Sequence, residues 1–236
     1  MIKFSDLILF EDDDFIVINK PHDVSTLDDR DATKVNILLL AKRYSSDAQV
    51  CHRLDKETSG ILAIAKNPTA YRHLSMQFEN REVLKIYHAV IAGIQKLENR
   101  MVEQPILALK DGNVKIDHEK GKEAATIFNT LQIFKGYSLV ACCPITGRMH
   151  QIRIHLATIG FPIVGDILYG GKYFYLSKIK KGYKINPNDD EQPFIKRVAL
   201  HAKALTFNKL NGQEITVDAP YPKDFAALIR QLSLHT

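Results

Sequence analysis

The stretch His52-Arg53-Leu54-Asp55-Lys56-Glu57-Thr58-Ser59-Gly60 gathers two cations, two carboxylates and two hydroxyls just ahead of the apolar run Ile61–Ala65. A single ionised carboxylate so placed can attack an electron-poor carbon, or stabilise positive charge that develops there. The same residues also suit a plain hydrogen-bonded turn, with Asp55 capping Thr58 or its backbone and Gly60 closing the bend. A second concentration of chemistry is Thr146-Gly147-Arg148-Met149-His150-Gln151-Ile152-Arg153, followed by His155-Leu156. Arg148, His150 and Gln151 fall at the start of an expected helix, where backbone N–H groups favour phosphate. Arg153, four residues after Met149 and three before Leu156, projects close to that helix's apolar face. A buried arginine there needs a carboxylate, whereas a solvated one on the helix flank needs nothing. His150 and His155 point in different directions and have no Asp or Cys at ligand spacing, so no metal site is expected.

These residues must be positioned by short strands and a few helices. Phe15–Asn19 reads as a strand ending in the Asn19-Lys20-Pro21 turn, and Val35–Tyr44 is apolar at helical spacing. Ile61–Ala65 reads as a buried strand, and Asn67 caps a helix that opens on Pro68 and reaches about Asn80. Val83–Ala92, Ala125–Phe134 and Tyr137–Cys143 alternate as half-buried strands. Met149–Ile159 is predicted helical with Gly160 as its stop. Val198–Phe207 and Glu214–Val217 are further strands, Pro222–Leu232 is a closing amphipathic helix, and the first ten residues read as an opening strand. Strands come in runs without strict βαβ alternation. That predicts an α+β fold: a single domain over 1–236 with a central mixed, largely antiparallel sheet flanked by helices and loops.

Composition sets the outer limits. Apolar residues are 45% and charged residues 25% of 236, the balance of an ordinary globular protein. No window approaches the roughly twenty apolar residues of a membrane helix, so no membrane partner is expected. Cys51, Cys142 and Cys143 are an odd set, with two adjacent, and cannot form a disulfide framework; reduced thiols in the cytoplasm are expected. Residues 1–35 hold nine acids and four bases, so of the net +5 the remainder of the chain carries +10. That asymmetry suits a basic face for a polyanion, or simply a solvated surface. Residues 170–192 read as an exposed basic insertion. Within it Lys172–Lys184 interleaves five lysines with four aromatics, which suits RNA contact as well as it suits a solvated loop.

The first block resembles the HRLDxxTSG motif of the RluA family of pseudouridine synthases, and other blocks follow in that family's order. Phe15–Pro21 resembles its opening strand and NKP turn, and Lys85-Ile86-Tyr87 its K-x-Y strand. Thr146–Leu156 is similar to TGRxHQxRxHL, Pro162–Asp166 with Tyr169-Gly170 to PIxGD..YG, and Leu200-His201-Ala202 to a late LHA strand. The chain departs from the pattern after Pro21, where His22–Asp31 is acidic and lacks the glycine-bearing turn. It also departs at Met149, where Thr or Ser is commoner, and in the basic insertion. Members of that family often carry an RNA-binding module ahead of the catalytic domain, and no separate N-terminal RNA-binding module is expected here.

The resemblance implies an isomerase that turns uridine into pseudouridine in structured ribosomal or transfer RNA, with Asp55 as catalytic carboxylate. No cofactor is expected, since no atom is lost and no redox change occurs, and a monomer is expected. Arg153 is expected to be the cation that holds Asp55 ionised. Tyr87 is expected to stack on the uracil or assist the proton shift, unless it is a core tyrosine. Arg53 would enter the RNA stack where the uridine has left, or lie on the surface. Arg148, His150 and Gln151 would position the RNA backbone. A nucleic-acid glycosylase, or a catalytically silent RNA-binding protein, is the competing reading.

Overall fold

The computed structural model of the protein describes residues 2–27, 35–184 and 190–235. The acidic stretch His22–Asp31 and the basic insertion each run partly outside those residues. In chain order the first elements are β1 (Ile8–Glu11), β2 (Phe15–Lys20), α1 (Ile37–Tyr44), β3 (Gln49–Val50) and β4 (Ser59–Ala65). Next come α2 (Pro68–Glu79), β5 (Leu84–Ala92), β6 (Arg100–Glu103), β7 (Ile106–Ala108) and β8 (Val114–Ile116). The remainder are β9 (Ala125–Phe134), β10 (Tyr137–Pro144), α3 (Gln151–Thr158), β11 (Leu200–Asn208), β12 (Glu214–Asp218) and α4 (Lys223–Leu234). Two compact units divide the chain: Met1–Tyr87 with His201–Tyr221, and His88–Leu200 with Pro222–Thr236.

In the first unit β4 is buried along its whole length, which is why its sequence reads as an unbroken apolar run and not as an alternation. Strand β2 pairs antiparallel with β1 and β4, and β3 antiparallel with β4. Strand β11 pairs parallel with β4, setting His201 opposite Ser59 and Ala202 opposite Gly60, and β12 pairs antiparallel with β11. The sheet is therefore mixed and the class α+β, as expected. Phe15, Ile16, Ile18, Leu62, Ile64, Leu74 and Phe207 form the core of this unit. Both of its helices start on an asparagine: the Asn36 side chain accepts the Leu39 N–H (2.8 Å) and that of Asn67 the Ala70 N–H (2.9 Å).

In the second unit β9 pairs antiparallel with β10 and with β6, while β7 and β8 form a separate two-stranded pair. Phe128, Phe134, Phe174 and Phe225 are its large buried rings. Among the described residues, no helix is long and apolar enough to cross a membrane.

Three local expectations need correction. The opening residues are not strand throughout: Phe4–Leu7 is a 3-10 turn, closed by the Asp6 N–H on the Lys3 carbonyl (3.1 Å), and β1 starts only at Ile8. Helix α3 begins at Gln151 and not at Met149, because His150 sits in the left-handed region at φ 52° and cannot continue a right-handed turn. The 170–192 insertion is not simply exposed. Phe174 is fully buried, edge-on to Tyr137 and Phe194 at 5.3 and 5.9 Å, and Ile179 is buried too.

Candidate active site

Asp55 is half-buried, on a loop whose backbone is held on both sides of it. On its N-terminal side, the Thr26 hydroxyl donates to the Leu54 carbonyl (3.0 Å) and accepts the Leu54 N–H (3.1 Å). On its C-terminal side, the Lys56 carbonyl accepts the Asp23 N–H (2.8 Å) and the Lys20 ammonium (3.4 Å). Lys20 is 0% exposed, and its ammonium also reaches the Pro21 and Val24 carbonyls at 3.0 and 2.9 Å. A buried ammonium is costly unless its donors find acceptors, and three carbonyls serve here. Asp23 adopts φ 61°, so it fills the left-handed position for which a glycine was expected; Asp tolerates that region better than most residues.

The turn that follows is the one readable in the sequence: the Thr58 N–H bonds the Asp55 carbonyl at 3.1 Å. Ser59 then contacts His201 (Oγ to Nδ1, 3.0 Å), and the other ring nitrogen of His201 lies 3.3 Å from the Ala219 carbonyl. Gly60, at φ 116°, lies so close to the Ala202 backbone that any Cβ would collide with it.

Ahead of Asp55, the His52 ring stacks on Phe78 with centroids 4.5 Å apart, and its Nε2 accepts the Ala63 N–H at 3.0 Å. An accepting ring nitrogen makes this histidine neutral, with its proton on Nδ1. Burial, helped by the charge of Lys85, pushes its pKa down to about 3. Lys85 and Tyr87 share one face of β5, the more covered one, since Leu84 and Ile86 on the opposite face are exposed. Burial and then the nearby Asp55 carboxylate drive the Tyr87 hydroxyl well above its ordinary range, so it stays protonated at neutral pH. Tyr87 also packs against the core of its unit, so both readings of this residue contribute. Arg53 is exposed.

In the second unit Arg153 is 4% exposed, not solvated, and its guanidinium grips Asp166, itself 1% exposed, through Nε–Oδ2 and Nη2–Oδ1 contacts of 2.8 Å each. Sequence reasoning pairs Arg153 with Asp55; within the second unit the carboxylate on its fork is Asp166. The guanidinium also lies over the Tyr169 ring at 5.2 Å, and the Tyr169 hydroxyl meets His150 Nδ1 at 2.7 Å. Arg148 is half-exposed, with its Nε on the Glu123 carbonyl (3.0 Å).

Gln151 corrects an expectation. Its Oε1 accepts the Thr146 hydroxyl (2.7 Å) and the Arg148 N–H (2.9 Å), while its Nε2 donates to the Ala125 carbonyl (2.9 Å) and the Thr126 hydroxyl (3.0 Å). A buried amide so occupied shapes the turn before α3 and is not available to an RNA backbone. His155 likewise has both ring nitrogens engaged, by Thr126 (3.0 Å) and the Gln104 carbonyl (3.0 Å). Among the described residues no cluster of His, Cys, Asp or Glu could hold a metal.

In the first unit, then, the Asp55 carboxylate sits on a held loop with the protonated Tyr87 hydroxyl feeling its charge, and in the second a buried arginine fork grips a carboxylate. Residues 14–158 match the family described as RNA pseudouridylate synthase. An RNA pseudouridine synthase of Zymomonas mobilis is 36% identical over 231 residues, covering 94% of this chain and 96% of that protein. Ribosomal large subunit pseudouridine synthase C of Buchnera aphidicola is 34% identical, covering 98% of this chain and 72% of its own. The corresponding synthase D of Haemophilus ducreyi is 33% identical, covering 95% and 70%. Among solved structures, human RNA pseudouridylate synthase domain containing 1 superposes with a TM-score of 0.68 at 28% identity, covering 91% of this chain and 83% of that one. Domain containing 4 has a TM-score of 0.73 at 24% identity, covering 98% and 94%. The chain belongs to the RNA pseudouridylate synthase family, of the RluA type, whose members are isomerases acting on uridines in RNA.

Proposed function

We propose that this protein converts uridine to pseudouridine in ribosomal RNA, with Asp55 as the reacting carboxylate. What carries the reading is the loop around Asp55, tied down on both sides, with the protonated Tyr87 hydroxyl within reach of its charge. The reaction breaks the bond from ribose C1′ to base N1, turns the base and joins C1′ to C5, while the C5 hydrogen leaves as a proton and N1 takes one up. An ionised Asp55 answers the charge at C1′, and a hydroxyl that stays protonated can serve proton movement at the base. Arg153 enters as a cation whose orientation Asp166 fixes, and Arg53, Arg148 and His150 as RNA contacts. Isomerisation neither loses an atom nor changes oxidation state, so it needs no cofactor. The ribosomal target rests on relatives named as large-subunit synthases. A cytoplasmic site of action is supported by three unpaired cysteines, of which burial drives Cys51 up to about 12 and Cys142 also upward.

Release of tritium from C5 of labelled uridine in ribosomal RNA tests the reaction. Asp55→Asn keeps the shape and removes the charge, so turnover should vanish while RNA affinity stays within about twofold. Retention of a tenth of wild-type turnover, a rise of only about 1.4 kcal/mol in the barrier, would exclude Asp55 as the essential group. Appearance of free uracil would identify a glycosylase instead.

A further inference from the structure

Thr26 lies in the stretch where the chain departs from its family's pattern, and nothing in the sequence marks it. In the fold it is 3% exposed, and its one hydroxyl satisfies both backbone groups of Leu54, the residue immediately before Asp55. This is the geometry of a strand bridge made by a side chain: donor and acceptor, 3.0 and 3.1 Å, on one residue 28 positions away. Thr26 is itself fixed from behind. Its own carbonyl accepts the Leu38 N–H (3.1 Å), and that of Ser25 accepts the Ile37 N–H (3.0 Å), so both belong to the cap of α1. The Leu54 side chain is buried in the core of the unit, and these two hydrogen bonds hold the peptide that leads into Asp55.

We infer that Thr26 is a positioning residue for catalysis, setting the aim of the Asp55 carboxylate through Leu54. The inference rests on the reading of Asp55 as the reacting group. Without the Thr26 hydroxyl, Leu54 keeps its place in the core but its peptide groups must find new partners, and the peptide leading into Asp55 rotates to meet them. A displacement well under 1 Å misdirects an attacking oxygen, so the chemical step suffers while RNA contacts made elsewhere do not. Serine has the same hydroxyl and lacks only the methyl, so it can keep both bonds. Valine has the shape and lacks the hydroxyl.

The test is single-turnover kinetics on a ribosomal RNA substrate for Thr26→Val and Thr26→Ser, with Thr206→Val as control, since the Thr206 hydroxyl pairs with that of Thr216 in an exposed position. Thr26→Val should lower kcat by about tenfold or more with KM within about twofold, whereas Thr26→Ser and Thr206→Val should stay within about threefold of wild type. If Thr26→Val does not fold by circular dichroism, Thr26→Ala, which admits a water to Leu54, carries the same comparison. The inference is overturned if the folded hydroxyl-free variant keeps wild-type kcat, if serine loses as much as valine, or if the loss lies in KM alone. Asp55→Asn measured in parallel separates the two failures. If it stays active, the reading of Asp55 fails; if it is inactive while Thr26→Val is normal, only the positioning role fails.

Discussion

Residues 52–60 and residues 172–184 both concentrate charge outside regular structure, and the fold handles them differently. In the first stretch Lys20, Asp23 and Thr26 bond the residues on either side of Asp55 and Ala63 bonds His52, so the Asp55 carboxylate sits on a backbone with little freedom. In the second, Phe174 and Ile179 are buried while Lys178, Lys180, Lys181 and Lys184 stay exposed, two of them resting over neighbouring rings: Lys178 on Tyr175 and Lys180 on Tyr183. Charge density alone would rank the lysine stretch first. If Asp55 is the reacting group we propose, the holding of its neighbours is what sets it apart, because catalysis depends on aim and long-range attraction does not.

If holding is the distinction, breaking a buried tie should cost far more than removing exposed charge. The largest stability effect is expected at Arg153→Met, which leaves the Asp166 carboxylate buried without its fork: a loss of about 3–5 kcal/mol, read from urea unfolding. Arg153→Met with Asp166→Leu should recover much of that loss and none of the turnover. Strictly additive losses in the cycle would mean that the two side chains are not coupled.

The second effect concerns His52 and pH. Its folded pKa of about 3 lies below the unfolded value of about 6.5, so as pH falls the unfolded chain takes up the proton first. The stability that depends on neutral His52 is complete above about pH 6.5 and drains away toward pH 3, by at most about 1.4 kcal/mol per pH unit. His52→Gln, whose amide oxygen can still accept the Ala63 N–H, should be less stable than wild type at pH 7 and gain on it steadily as pH falls to 4. Burial also lowers the His155 pKa, but that residue is common to both chains and cancels in the difference. Parallel pH curves would show that His52 is not the buried neutral base described.

The smallest effect is expected where the charge is unheld. Replacing Lys178, Lys180, Lys181 and Lys184 with Gln should leave stability within about 0.5 kcal/mol. If these lysines meet phosphates, the plot of log affinity against log salt should flatten by up to roughly 0.7–0.9 per contact, equally for cognate and unrelated RNA. An unchanged slope would make them solvated surface.

What could be read in the sequence was whatever is local. The asparagine cap of α2, the unbroken apolar run of β4 and the turn from Asp55 to Thr58 all involve residues within a few positions of each other. The ties that aim Asp55 are not local: Thr26 lies 28 positions before Leu54 and Lys20 lies 36 before Lys56, and neither carries a periodicity. Gln151 and Arg153 were visible as unusual polar residues, but their partners depend on the turn before α3 and on the chain beyond it. The short strands β3, β6, β7 and β8 have too few residues to establish an alternation. Asp23 concealed a turn because the signal sought there was glycine.

The parallel pairing of β4 with β11 also has a consequence in time. Ser59 and His201 belong to one unit but are separated in the chain by residues 88–200, so the ribosome has to build the whole of that stretch before they can meet. At about 5–20 residues per second, that interval is on the order of ten seconds. Until then β4, buried on both faces in the finished fold, has β2 and β3 beside it and an open edge where β11 belongs. Open apolar edges invite pairing with other chains, so a nascent chaperone has most to do in that interval. It also follows that a chain truncated before His201 cannot be rescued by shortening it further, because what it lacks is β11 and β12, the two strands made last.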